Sequence, residues 1–261
     1  MKLQKLLSLT RQAIDNYHMI EEGDRIALGL SGGKDSLTLL YALCELRRFY
    51  PKHFELCAIT VDLGFADFET DGLIRFCREH EVRYEIVPTQ IGPILFEERK
   101  ESNPCSLCAK MRKGALNQKA LELGCNKIAY AHHQDDVIET LFLSLFYEGQ
   151  MQTLEPFFTL DGSNLTVIRP LIYVSEADVI GFLHKYDLPV SKNPCPADGN
   201  TRREYVKQHV RRLNQENPGV KKRIFHAIET DHEIWKLRKV QADEKEMAAV
   251  QGAGGEEISV K

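Results

Sequence analysis

Three cysteines stand apart from the rest of the chain as candidate ligands for a soft metal. Cys105 and Cys108 form a C-x-x-C pair in Cys105-Ser106-Leu107-Cys108, and Cys195 lies far downstream in Asn193-Pro194-Cys195-Pro196. One helical turn can bring two thiolates to a common point, and zinc, a redox pair and an iron–sulfur cluster all use that spacing. A closed structural zinc site calls for a fourth ligand, and no second C-x-x-C is present. Three thiolates and an open position suit a [4Fe-4S] cluster whose remaining iron can take an exogenous ligand such as sulfide. A disulfide at Cys105–Cys108 is the competing reading. The other four cysteines, Cys44, Cys57, Cys77 and Cys125, sit among aliphatic residues and read as small buried side chains.

A second cluster has the chemistry of an anion cradle. Ser31-Gly32-Gly33-Lys34-Asp35-Ser36 follows an apolar run and precedes a helical pattern. Two glycines let the backbone approach a polyphosphate, and the first helical N–H groups point at it along the favourable dipole. Ser31 and Ser36 can donate hydroxyl hydrogen bonds, and Lys34 can neutralise phosphate charge. The pattern is neither G-x-x-x-x-G-K-[ST] nor G-x-G-x-x-G, so kinase-type and dinucleotide readings do not fit. A third cluster, Ala131-His132-His133-Gln134-Asp135-Asp136, also stands between a strand-like run and a helix. Asp135 or Asp136 can bind Mg²⁺ on the polyphosphate or manage a proton. Helix capping is the plainer alternative for both acids. Of the two histidines, His132 is expected to face the ligand.

The surrounding pattern supplies elements to hold these clusters. Strands are expected at 24–30, 54–61, 83–88, 126–131 and 165–169, with helices at 37–49, 69–80, 105–123, 135–147 and 176–185. Residues 89–104 read as a long connection. Such alternation implies right-handed βαβ crossovers and an α/β fold, a twisted parallel sheet flanked by helices. In open sheets of this kind ligands bind at strand C-termini, which places the second and third clusters side by side. The expected organisation is an N-terminal helix over 1–22, a nucleotide-binding α/β domain over 23–190, a basic helical C-terminal extension over 191–240 and a flexible tail over 241–261.

The composition, 43% apolar and 28% charged over 261 residues, is that of an ordinary globular protein. No apolar run approaches the roughly 20 residues that cross a bilayer, so no membrane partner is expected. The N-terminus reads as an amphipathic helix and not as a signal peptide. A cytoplasmic protein without a disulfide framework follows. The net charge of −4 hides an asymmetry. Residues 202–223 carry eight Lys or Arg against two acids, whereas 229–257 carry eight acids against four bases. A basic block beside an acidic tail can bind phosphate locally.

SGGKDS resembles the PP-loop of the ATP pyrophosphatases. That family cleaves ATP between its α and β phosphates, transfers AMP to a carbonyl-type oxygen and has an adenine nucleotide α-hydrolase-like fold. The resemblance implies that the loop Ser31–Ser36 and His132 with Ala131 bind the nucleotide, and that Asp62, at the end of the second strand, lies near the adenine. The wider set of SGGKDS, CSLCAKMRKGAL, AHHQDDVIETLFLSLFYEGQM, IRPLIYVSEADV and the segment around Cys195 resembles the tRNA 2-thiocytidine biosynthesis family over about 28–228. Two departures are Ala131, where that family usually has Gly, and Asp198, where a further cysteine commonly stands.

The implied function is ATP-dependent transfer of sulfur to C2 of an anticodon-loop cytidine of tRNA. Lys34, Asp135, Asp136 and the three cysteines are its catalytic residues, and ATP, Mg²⁺ and a [4Fe-4S] cluster its cofactors. A cysteine desulfurase or free sulfide is the implied sulfur donor, and a homodimer is compatible with the resemblance. The tRNA is expected across Lys110, Arg112, Lys113 and the 202–223 block. Rival readings are a PP-loop sulfurtransferase acting on uridine or a small molecule, and a non-catalytic ATP- and metal-binding sensor. Cluster-type thiouridine relatives usually add terminal C-x-x-C zinc fingers, which this chain lacks.

Overall fold

Alternating apolar runs and amphipathic segments build a six-stranded sheet with helices on both faces. The computed structural model describes residues 1–65, 68–98, 104–191, 195, 201–231 and 234–235. Its strands are β1 (Asp24–Gly29), β2 (Phe54–Asp62), β3 (Arg83–Pro88), β4 (Lys127–Ala129), β5 (Phe157–Thr159) and β6 (Thr166–Ile168). They lie in the order β3-β2-β1-β4-β6-β5. All neighbours are parallel except β5, which pairs antiparallel with β6 at the edge. The edge strand was not expected from the sequence, and it makes the sheet mixed. A turn through Gly162, at φ +71°, folds Phe157–Thr159 back onto β6.

The pleat sorts side chains between two apolar layers. Ile26 and Leu28 of β1, with Leu56 and Ala58 of β2, face the larger core. Ala27, Cys57 and Ile59 face the smaller one, with Leu116 and Ala120 of α5 (Pro104–Glu122). The larger core joins α1 (Leu3–Asn16), α2 (Lys34–Arg47), α3 (Asp71–Glu79), α6 (Gln134–Glu148), α7 (Glu176–Tyr186), α8 (Arg202–Glu216) and α9 (Val220–Thr230). Trp235 is fully buried there, its ring edge-on to Tyr17 and Phe225. N-terminal and C-terminal helices therefore share one core with the sheet.

The 89–104 stretch departs from a plain connection. Ile91–Pro93 (α4) forms one helical turn, and Ile94–Glu98 continues as a π-helical turn. Leu95 and Ile91 anchor it by burial. Among the described residues no helix is long and apolar enough to cross a membrane. The tail expected at 241–261 and all of the segment around Cys195 except Cys195 itself lie outside the described residues.

Strand order reverses between β1 and β4, so their C-terminal ends flank a crevice. The Ser31–Ser36 loop leaves one of these strands, and the His132–Asp136 turn follows the other.

Candidate active site

The loop at the end of β1 is held open by short-range polar contacts. Ser31 Oγ lies 3.2 Å from Ser36 Oγ, and Ser36 Oγ donates to the Gly33 carbonyl at 2.9 Å. Gly32 takes φ +78°, and its carbonyl accepts from Ser191 N–H at 3.0 Å. Ser191 Oγ donates in turn to the Glu69 carbonyl at 2.9 Å. Behind the loop, Thr60 Oγ1 donates to the Leu30 carbonyl and accepts from Tyr84 Oη. α2 begins at Lys34, three residues earlier than the apolar periodicity indicated, so its first free N–H groups belong to the loop itself.

A cleft of about 190 Å³ opens against this loop, lined by Ser31, Gly33, Asp62, Phe65, Phe68 and Arg112 among others. Asp62 combines a turn contact with the place beside the nucleotide that the resemblance implies. Its Oδ1 accepts from Gly64 N–H at 2.9 Å, as in a turn, while the residue also lines the cleft. Phe65 and Phe68 were not singled out from the sequence. Two half-buried aromatics in a loop carry no periodic signal.

Charges at the crevice form a chain of alternating sign. Lys34 Nζ contacts Asp35 Oδ2 at 2.9 Å and Glu176 Oε1 at 3.3 Å. Lys207 Nζ reaches the same Glu176 oxygen at 2.6 Å. Burial opposes the charge on Lys34, yet Asp35 and Glu176 hold its pKa above the ordinary lysine value. Burial likewise opposes ionised Glu176, but Lys207 and Lys34 bring it down to about 2. Asp35 Oδ1 is buried without a hydrogen bond, and His133 Nε2 stands 3.5 Å away. An orphaned carboxylate oxygen beside a phosphate cradle fits a hard cation such as Mg²⁺.

The two acids of the β4 turn have separate jobs. Asp135 Oδ2 accepts the Glu176 N–H at 2.7 Å, and Oδ1 takes Lys221 Nζ at 2.6 Å. With both oxygens engaged and 5% of its surface exposed, Asp135 braces α7 and α9 against the site. Asp136 completes a capping box with His133, its Oδ2 accepting the His133 N–H at 3.0 Å. Its Oδ1 faces Arg203 Nη1 at 3.3 Å. Burial would raise the Asp136 pKa, but His133 and Arg203 outweigh it and hold the carboxyl low. Asp136 is thus held ionised beside the charged centre. Nearby Glu139 is pushed up to about 7 by burial and by Asp136. Ala131 is partly buried against the core, and His132 Nδ1 accepts from Arg169 Nε at 3.1 Å.

The basic C-terminal block does not present all its cations to solvent. Arg203, Lys207 and Lys221 turn inward onto Asp136, Glu176 and Asp135. This corrects the expectation that the whole of 202–223 forms a contact surface for tRNA. Burying the site acids requires compensating charge, and α8 and α9 supply it. Arg202, Arg211, Arg212, Lys222 and Arg223 remain exposed, with Arg202 stacked over Tyr147 at 4.8 Å. Lys110 and Arg112 are exposed too. Lys113 is exposed as well, and partial burial, Arg169 and Arg112 lower its pKa.

Cys105 and Cys108 occupy the first turn of α5, with no disulfide between them. Burial raises the Cys108 pKa; Arg112 pulls it down, while Cys195 and Cys105 push it further up. Cys108 therefore has both other cysteines as electrostatic neighbours. Among the described residues, no three His, Cys, Asp or Glu side chains stand close enough to hold a metal without adjustment. Three soft donors, of which Cys108 senses both others electrostatically, nevertheless fit an iron–sulfur cluster in chemistry. The remaining cysteines are buried, and burial pushes Cys44 and Cys77 up to about 12 and Cys57 to about 11, as inert core thiols require.

Residues 4–214 match the PP-loop domain family. The tRNA-cytidine(32) 2-sulfurtransferase of Geobacter metallireducens is 38% identical over 230 residues, covering 87% of this chain and 90% of the relative. That of Geotalea uraniireducens is 41% identical over 220 residues, covering 83% and 87%. Among solved structures, the U34-tRNA thiolase NcsA from Methanococcus maripaludis with its [4Fe-4S] cluster superposes with a TM-score of 0.72. It is 28% identical, with 87% of this chain and 77% of that one covered.

Proposed function

The chain belongs to the tRNA-cytidine(32) 2-sulfurtransferase family of PP-loop proteins, and on that premise we propose how its residues divide the reaction. The enzyme transfers sulfur to a tRNA cytidine at the expense of ATP. The observation that carries the assignment of roles is the meeting of the Ser31–Ser36 loop, Asp136 and the charged chain Lys34–Glu176–Lys207 at one reversal of strand order.

Two chemical obstacles must be met. The C2 oxygen of cytosine is a poor leaving group, and sulfide is lost to water unless held. ATP binds with its phosphates on Ser31–Ser36 and its adenine in the cleft beside Asp62 and Phe65. The C2 oxygen attacks the α-phosphorus, the bond to the β-phosphate breaks and pyrophosphate leaves. Lys34 and the N-terminus of α2 stabilise the departing charge, as preorganised groups in a water-poor site do best. Lys34 is neutralised by Asp35 and Glu176, a partnership that the phosphates of ATP take over in part. Mg²⁺ would be held by Asp35, with Asp136 as the second acid. Cys105, Cys108 and Cys195 would hold a [4Fe-4S] cluster, which when bound supplies an iron free of protein ligands at which sulfide is kept as a nucleophile. Attack at C2 then breaks the C2–O bond, and AMP leaves carrying that oxygen. Free sulfide or a cysteine desulfurase supplies the sulfur, and the enzyme works in the cytoplasm.

The tRNA lies across Lys110, Arg112 and Lys113 and the outward cations of α8 and α9. Such phosphate contacts position the substrate without reading the base. Replacing Arg211 and Arg212 together by alanine is expected to weaken tRNA binding roughly tenfold and to flatten the dependence of log K on log salt by about 1–2. ATP affinity should not change. Filter binding across a salt series measures this, and an unaltered slope would remove α8 from the contact surface. Lys207→Ala is expected to do the opposite, weakening ATP binding through Glu176 and leaving the salt slope intact.

A further inference from the structure

Arg169 lies just past β6 with 4% of its surface exposed. Its guanidinium is fixed by three partners. One Nη donates to the Glu155 carbonyl, the group lies over the Phe158 ring at 5.3 Å, and Nε donates to His132 Nδ1 at 3.1 Å. Arginine has donors only. Nδ1 of His132 must therefore keep its lone pair, and the ring proton sits on Nε2. Protonating Nδ1 would set two donors against each other. The charged groups facing this ring are Arg169 after β6, Asp136 on α6, Arg203 on α8 and Lys113 on α5. Three of the four are cations, and together with burial they keep the imidazole neutral.

We propose that Arg169 is a positioning residue that locks His132 as the neutral Nε2–H tautomer, so that this N–H donates to an oxygen of the ATP–tRNA complex on which negative charge grows during adenylyl transfer. The proposal rests on the sulfur-transfer reading for the identity of that complex, and on this chain's own geometry for the tautomer. A neutral imidazole suits the task. It donates one hydrogen bond toward the oxygen without adding a cation that would compete with Lys34 and Mg²⁺ for the phosphates. The orientation of a histidine is commonly set by the bond its other nitrogen makes; here that partner is a cation, which also forbids the second proton.

The test uses the full chain labelled with ¹⁵N at histidine, with His132 assigned by its disappearance in His132→Gln. Long-range ¹H–¹⁵N spectra should show His132 as the Nε2–H tautomer, unchanged between about pH 5.5 and 8, where ordinary histidines titrate. In Arg169→Met the ring should titrate within that range or populate Nδ1–H. There, kcat for tRNA-dependent AMP release should fall roughly 10–100-fold, the usual effect of losing an outer partner that fixes a histidine, with KM for ATP little altered. Arg169→Lys, which keeps a donor for Nδ1, should recover the wild-type tautomer and most of the rate, and it carries the test if the methionine variant fails to fold. A wild-type His132 found as Nδ1–H, or titrating near neutrality, overturns the proposal. So does a methionine variant whose tautomer shifts while kcat does not. The spectra need no substrate, so failure of the sulfur-transfer reading would show separately, as a wild-type chain with the locked tautomer and no AMP release.

Discussion

Gly32→Ala should abolish pyrophosphate release while leaving the chain folded. Gly32 sits at φ +78°, where an L side chain costs about 1–2 kcal/mol. A Cβ there would lie 2.9 Å from Ser191 Cβ and 3.1 Å from its Oγ. Ser191 cannot yield freely, because its N–H holds the Gly32 carbonyl and its hydroxyl holds Glu69. The loop must move, and the N–H groups that cradle phosphate move with it. Loss of preorganised donors of this kind costs roughly 10²–10³ in rate. Gly33→Ala separates backbone strain from crowding of the cradle: its φ is −77°, and within the protein the added methyl meets only Ser31 Oγ at 3.4 Å. Pyrophosphate release by both variants, with thermal unfolding to confirm folding, decides the matter. Equal activity in Gly32→Ala and wild type would remove the loop from catalysis.

Cys195→Ala should give the second large effect, eliminating bound iron and thiolation together while ATP binding survives. Cys195 is 87 positions beyond Cys108, yet the Cys108 thiol senses it as a neighbour. With one of three ligands gone, a cluster open at its fourth iron would be held by only two thiolates. Anaerobic preparations should contain about four irons and four sulfides per chain in the wild type and neither in the variant. The thiolation rate should fall at least roughly 10²-fold. Cys125→Ala, which removes a buried core thiol, should keep its iron. Iron retained in Cys195→Ala would break the three-cysteine assignment and leave the C-x-x-C pair to act alone, as in a persulfide route.

What the sequence made legible was what local patterning encodes. Apolar runs at 24–30 and 54–61 became β1 and β2 because each is largely buried and bounded by turns, and 83–88 became the half-exposed edge strand β3. The two Gly- and Asp-rich turns after β1 and β4 were legible because a phosphate cradle and a helix N-terminus need those residues consecutively. Pairings across long sequence separations were not. Lys221 and Asp135 are 86 residues apart, and nothing in either neighbourhood announces that one neutralises the other. For the same reason the basic block read as an outward surface, although three of its cations face in. Glu176 was seen only as a helix start, and its bridge between Lys34 and Lys207 depends on α8 crossing α7's first turn. β5 escaped because none of Phe157–Thr159 is fully buried, whereas the equally short β4 and β6 each carry two buried residues within apolar runs.

The most direct test of the mechanism follows one oxygen atom. A tRNA or anticodon stem-loop carrying ¹⁸O at C2 of cytidine 32 would be incubated anaerobically with the loaded enzyme, ATP, Mg²⁺ and sulfide, and the products read by mass spectrometry. The account predicts one ¹⁸O in AMP for each 2-thiocytidine formed, with one pyrophosphate released. Thiolation with the label in water, or with ADP in place of AMP, would contradict adenylation of the base oxygen.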